Sequence, residues 1–195
     1  INIKDLGPEE LEDFVINLGE KSYRATQLGK WIYKRGVSSF DKMTDLSKDF
    51  RASLSQAATI SSLKMIEERI SFDGTKKFIF GLFDGNRIES VLIPENGRNT
   101  LCISAQVGCA LGCTFCLTGR VGRIRNLKTY EILDQFLEVN NRNNGSVTNI
   151  VFMGMGEPLD NLENTVKALK IFTHPDFIGF SPKRITVSTS GIVPK

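Results

Sequence analysis

Histidine is nearly missing from this sequence: His174 is the only one among 195 residues. It stands beside Pro175, far from every cysteine, and reads as an ordinary loop residue rather than a metal ligand. Cysteine is scarce too, with four residues, and no neighbouring pair reads as a structural disulfide. Long apolar runs are absent, so nothing approaches the roughly 20 residues of a bilayer span. The opening residues, INIKDLGPEE, lack the basic, apolar and small-residue stages of a secretory signal. They also lack a starting Met, as a cropped or processed chain would. Strong charge of one sign is missing as well. The net charge of +3 is too mild to point to nucleic acid by itself. What is left is ordinary, with 41% hydrophobic and 24% charged residues. The expected compartment is the cytoplasm, where thiols stay reduced and clustered cysteines more often bind metal.

The hydrophobic periodicity changes along the chain. Residues 1–60 read as helical: Pro8 suits a first helical position, Leu11, Phe14, Val15 and Leu18 form a stripe, and Gly19 ends it. A second helix carries Leu28, Trp31 and Ile32 to Gly36, and a third begins near Ser47 with Phe50 and Leu54 packed. From about 63 to 94, Asp73-Gly74 and Asp84-Gly85 punctuate extended segments and predict two-residue hairpins in an antiparallel meander. From residue 100 strands and helices alternate. The strands are TLCISAQV, TNIVFMG and RITVSTSG. The helices are marked by Ile132, Leu133, Phe136 and Val139, then by Leu162, Val166, Leu169 and Phe172. Such alternation predicts parallel strands with right-handed crossovers. Three of them cannot close a barrel, which fits the front part of a longer enzyme.

Three of the four cysteines lie within eight residues, as Cys109-x3-Cys113-x2-Cys116. A structural zinc site prefers four ligands, commonly from two separated C-x2-C knuckles; here one knuckle stands without a local histidine. Three thiolates suit a four-iron cluster whose fourth iron takes a non-protein ligand. Phe115, between the last two cysteines, either packs beside a bound cofactor or fills the loop's own core.

C-x3-C-x2-C with an aromatic before the last cysteine resembles the radical S-adenosylmethionine (SAM) enzymes. The strings LCISAQVGCALGCTFCLTGRVGRIRNL, FMGMGEPLDN and RITVSTSGIVP resemble the RlmN/Cfr branch, which methylates adenosines in RNA. The resemblance covers almost the whole chain. It implies an α/β fold with a helical accessory domain over 1–60, an antiparallel extension over 61–98, and the first βα units of a (βα)6-type barrel over 99–195. It also implies a [4Fe-4S] cluster on Cys109, Cys113 and Cys116, with SAM held by Gly156, Glu157 and Ser188. Glu89 matches the family's proton acceptor, and Cys102 a cysteine outside the cluster motif. The implied reaction is methylation of adenine C2 in 23S rRNA and tRNA by a monomer supplied with electrons by a donor such as flavodoxin. It uses a methyl-carrying cysteine that lies beyond the region aligned. C8 methylation is the alternative within the family, and a non-catalytic zinc-binding RNA module the alternative outside it.

Two further expectations come from the residues themselves. A two-residue hairpin at Asp84-Gly85 sets Glu89 opposite Phe80, on a face shared with Phe78, Leu82, Val91 and Ile93. A carboxylate there would resist ionisation and suit a general base; the plainer reading pairs it with Arg87 or a strand lysine. For RNA contact, residues 21–36 interleave Tyr23, Trp31 and Tyr33 with Lys30, Lys34 and Arg35. Residues 118–128 carry Arg120, Arg123, Arg125 and Lys128 without an acid.

Overall fold

A computed structural model describes residues 1–192. The N-terminal part is helical. Helix α1 (Pro8–Asn17) begins on Pro8, with the Glu10 carboxylate accepting from Gly7 N at 2.8 Å. Helix α2 (Tyr23–Gly29) runs on into a π-turn over Lys30–Lys34. Helix α3 (Lys48–Ala57) is capped by Ser47, whose Oγ accepts from Phe50 N at 3.1 Å. Their apolar stripes meet in one core of Leu11, Val15, Leu28, Ile32, Phe50 and Leu54.

The centre of the molecule is a six-stranded sheet. Strands β1 (Lys64–Ile70), β2 (Lys76–Gly81), β3 (Arg87–Glu95) and β4 (Arg98–Cys102) form an antiparallel meander. Strands β7 (Asn149–Phe152) and β8 (Ile185–Val187) then add in parallel to β4, giving the order β1-β2-β3-β4-β7-β8. The meander and the parallel strands therefore share one sheet.

The hairpin register differs from the expected one. Leu82 N donates to Asn86 O at 2.9 Å and Gly85 N to Leu82 O at 3.1 Å, so Phe83, Asp84 and Gly85 all belong to the loop. Gly85, with φ +84°, supplies the left-handed residue that a three-residue loop requires. One extra loop residue moves the pairing by one: Ile88 lies opposite Phe80, and Glu89 opposite Ile79. Because strand side chains alternate, that slip sends Glu89 to the other face.

Strand TLCISAQV is also shorter than expected and breaks after Cys102. Ser104 leaves the ladder because Gln135 replaces it: Ser104 N donates to Gln135 Oε1 at 2.7 Å, and Gln135 Nε2 to Ser104 O at 3.0 Å. The chain then forms a separate two-residue ladder, β5 (Gln106–Val107) with β6 (Arg125–Asn126), on either side of the short helix α4 (Leu117–Val121).

Helices α5 (Thr129–Arg142) and α6 (Leu162–Thr173) follow β6 and β7. The face of α6 that is buried carries Thr165, Ala168, Ile171 and Phe172, whereas Leu162 and Val166 of the expected stripe are exposed. Ion pairs join α1 to α6 through Lys167–Glu10 and Lys170–Glu9, at 2.8 and 2.9 Å. Before α1, Lys4 is paired with Asp134 of α5, both buried. Among the described residues no helix is long and apolar enough to cross a membrane.

Candidate active site

Parallel strands β4, β7 and β8 run in the same direction, so the segments that follow them leave from one edge of the sheet. Ligand sites of open α/β sheets form at that carboxyl edge. The segment after β4 carries the cysteine motif, the one after β7 carries Gly156 and Glu157, and the one after β8 begins with Ser188. The topology thus brings together the segments holding most of the sequence-predicted residues.

The cysteine segment is a loop closed at its base by β5 and β6, where Cys109 N donates to Gly122 O at 3.2 Å and Ile124 N to Val107 O at 2.8 Å. Cys109, Cys113 and Cys116 are all free and half-buried. Cys116 lies just before α4, and the amides of Gly119 and Thr118 hold its thiol below the usual cysteine range. That favours the thiolate a metal needs. Among the described residues no three His, Cys, Asp or Glu side chains converge on a single metal-ion position. Three thiols on one loop are the donor set of a multi-iron cluster, in which each would serve a different iron. Phe115 fills no loop core: it is 91% exposed, beside exposed Leu117 and Val121.

Gly156 is held at φ +95°, and a Cβ there would come within 2.4 Å of Gln106 Cβ, so only glycine fits. Glu157, 3% exposed, is engaged from two sides. Oε1 accepts from Leu159 N at 2.9 Å and Thr189 Oγ1 at 2.6 Å; Oε2 accepts from Ser190 N at 3.0 Å and Ser190 Oγ at 3.1 Å. Burial works against its ionisation, but the bonds from Thr189, Ser190 and Leu159 prevail and hold its carboxyl below the usual range. Glu157 therefore ties the segment after β7 to the segment after β8. Ser188 is exposed at the end of β8. Thr189 and Ser190 were not singled out in the sequence, although the hydroxyl-rich STSG was the available signal.

The apolar setting expected for Glu89 is not found. Its side chain is 44% exposed, and Oε1 lies 2.7 Å from Lys77 Nζ on β2. This is the strand-lysine pairing of the plainer reading, and it follows from the three-residue loop. The same slip places Glu89 in company that two-residue counting hides. Lys77 and Cys102 each pair with Val91, so Lys77, Ile79, Glu89, Val91 and Cys102 share one face of the sheet. A cleft over that face is lined by Ile79, Arg87, Glu89, Leu117, Thr118, Val121 and Met155. It joins Glu89 to the helix after Cys116 and to the residue before Gly156. Burial pushes the Cys102 thiol up, with the Met153 amide opposing.

The two basic stretches spend much of their charge inside the chain. Lys30 pairs with Asp176 at 3.0 Å, Lys34 Nζ donates to Pro175 O at 2.8 Å, and Arg35 stacks 3.9 Å from the Trp31 ring centroid. Tyr33 is buried, whereas Tyr23 is exposed. Arg123 pairs with Asp160 at 2.7 Å. Arg125 grips Asp84 of the β2–β3 loop at 2.5 Å and both oxygens of Glu131 on α5 at 2.7 and 2.9 Å. Its grip fastens the base of the cysteine loop to hairpin and helix.

Residues 1–60 match the ribosomal RNA large subunit methyltransferase N-terminal domain, and residues 103–195 match the radical SAM superfamily. The chain is 54% identical over its whole length to the dual-specificity RNA methyltransferase RlmN of Geobacter sulfurreducens, covering 54% of that protein. It is 48% identical to the RlmN of Buchnera aphidicola, again over the whole chain and 54% of that protein. A crystal structure of a radical SAM methyltransferase from Sphaerobacter thermophilus superposes with a TM-score of 0.88 at 40% identity, over 100% of this chain and 58% of that one. The chain thus spans little more than half the length of these relatives. Its N-terminal domain, its cysteine-bearing βα core and its whole-length similarity agree: the chain joins an RlmN-type N-terminal domain to a radical SAM domain and is similar throughout to RlmN proteins.

Proposed function

We propose that this chain is the front part of a radical SAM enzyme that methylates C2 of adenine in 23S rRNA and tRNA. The observation that carries the reading is the shared edge of β4, β7 and β8, where the cysteine motif, the Gly156–Glu157 turn and Ser188 leave the sheet beside the Glu89 cleft. Cys109, Cys113 and Cys116 would hold a [4Fe-4S] cluster, and the turn with Ser188 would receive SAM. When bound, such a cluster would supply the electron for reductive cleavage of SAM.

The chain's own residues supply positioning and proton transfer. Glu157, held by Thr189 and Ser190 on one side and by Leu159 N on the other, would keep the two halves of the SAM site in register. The Glu89 carboxylate takes the proton leaving the adenine ring, with Lys77 orienting it. Cys102, on the same face, would resolve the covalent adduct between RNA and a methyl-carrying cysteine beyond this chain: its thiolate forms a disulfide with that cysteine's sulfur, the S–CH2 bond breaks, and the released carbon takes up a proton to leave methyladenine. Its thiol must first give up a proton, since burial favours the protonated form. The unit over 1–60 serves as an accessory RNA-binding domain, the segment 61–98 extends the sheet that carries Glu89, and 99–195 begins the radical SAM core. An external reductant such as flavodoxin completes the system in the cytoplasm.

Mass spectrometry of RNA treated with the full-length protein, SAM and reductant tests the reading. 2-Methyladenosine is the expected product, falling about 10²- to 10⁴-fold in rate with Glu89→Gln. 8-Methyladenosine would refute the C2 assignment, and a fully active Glu89→Gln enzyme would remove the base from its role.

A further inference from the structure

The neck of the cysteine loop is closed by backbone bonds and cross-braced by side-chain amides. β5 and β6 pair only as Gln106–Asn126 and Val107–Arg125, a small ladder for a loop running from Gly108 to Ile124. Backbone bonds extend that ladder, Cys109 N to Gly122 O, Ile124 N to Val107 O and Leu127 N to Ala105 O, and the turn over Pro158–Asn161, just after Glu157, braces it from the side. Asn161 is buried, and its Nδ2 donates to the carbonyl oxygens of both Ala105 and Leu127 at 2.8 Å. One side chain thereby stitches the two sides of the neck together.

Gln106 makes the second link. It is fully buried, its Nε2 donating to Asn126 Oδ1 at 2.7 Å and to Asp160 Oδ2 at 3.1 Å, while its Oε1 accepts from Glu157 N at 2.9 Å. Its stem occupies the space a side chain at position 156 would need. Asn126 Nδ2 adds a bond to Asp160 O at 3.1 Å, and Arg123 meets Asp160 Oδ2 at 2.7 Å.

We propose that Gln106 and Asn161 are positioning residues that lock the cysteine loop to the Gly156–Glu157 turn, fixing the cluster relative to the amino end of SAM. The proposal rests on the reading of those two segments given above. Segments from separate βα units are coupled only by what bridges them. An amide is suited to the task because it donates and accepts at once. Leucine would fill the space of Gln106 but leave the Glu157 N–H and the Asn126 Oδ1 without their partner. Residues that orient ligands without touching the metal typically change affinity or activity by about 10- to 100-fold.

The test uses the full-length protein reconstituted anaerobically with iron and sulfide, as wild type, Gln106→Leu and Asn161→Asp. Iron content, thermal melting and the electron paramagnetic resonance response of the reduced cluster to titrated SAM are compared. Both variants should keep the wild-type iron content and cluster signal, bind SAM at least about tenfold more weakly, and show an altered spectral response. Wild-type SAM titrations in the variants would overturn the lock while leaving the functional reading intact. Loss of iron and fold in both would also overturn it, by assigning the amides to stability alone; if one variant fails to fold, the other decides. A wild-type protein that takes no cluster, or whose cluster ignores SAM, would overturn the underlying reading and the lock with it.

Discussion

The two faces of the central sheet are made by the same strands and have opposite characters. One face carries Phe78, Phe80, Ile88, Leu92, Leu101, Ile150 and Phe152, all buried in the core. The other carries Lys77, Ile79, Glu89, Val91, Cys102 and Val151, all partly open. Alternation separates packing from chemistry without separating them in sequence: Ile88 is fully buried, and Glu89 beside it is paired in a cleft. A single residue added to a hairpin loop exchanges the two sets, so the loop decides which carboxylate faces the site.

That contrast can be broken by substitution. On the covered face Phe80→Ala should cost about 3–5 kcal/mol in denaturant unfolding, because it empties a packed site. A loss below about 1 kcal/mol would contradict the register. Lys4→Met attacks the same core where α5 meets the N-terminal segment, leaving the Asp134 carboxylate buried without its cation. Burial already raises the Asp134 carboxyl to about 6, against the pull of Lys4. A carboxyl raised on folding contributes stability that is present below about pH 4 and lost as pH rises through its folded value. Without Lys4 that value rises further, so Lys4→Met should cost about 3–5 kcal/mol at pH 8 and distinctly less at pH 5. An equal loss at both pH values would show that Asp134 does not titrate as described.

The open face should behave differently. Glu89→Gln breaks only a half-exposed ion pair, so stability should move by less than about 1 kcal/mol even as the proposed methyl transfer slows about 10²- to 10⁴-fold. Phe115→Ala, on an exposed ring, should change stability by no more than about 0.5 kcal/mol. A larger destabilisation would mean that the ring packs in the folded loop.

Much of this fold could be read from residues whose signals are local. Pro8, Ser47 and the spacing of Leu11, Phe14 and Val15 mark helices because caps and stripes need only near neighbours. Alternating strands and helices after residue 100 announce the parallel strands for the same reason. Register was less accessible. Asp-Gly serves both two- and three-residue loops, and only the Leu82–Asn86 hydrogen bond distinguishes them. The break after Cys102 depends on Gln135, on a distant helix. Helix α6 has apolar residues on more than one side, so periodicity could not say that Ile171 rather than Val166 is buried. At the site, the cysteines and Glu157 were legible as motifs. Lys77, Thr189, Ser190 and the amides of Gln106 and Asn161 were not, because their partners are set by tertiary structure.

The loop over the open face should hold a cluster on three cysteines, with Cys102 left for the sheet. Anaerobic reconstitution with iron and sulfide measures it directly. About four irons per chain and a brown charge-transfer spectrum are expected, lost on replacing Cys109, Cys113 or Cys116 by Ala and kept with Cys102→Ala. A colourless protein that takes up zinc, or a cluster that disappears with Cys102, would contradict the account.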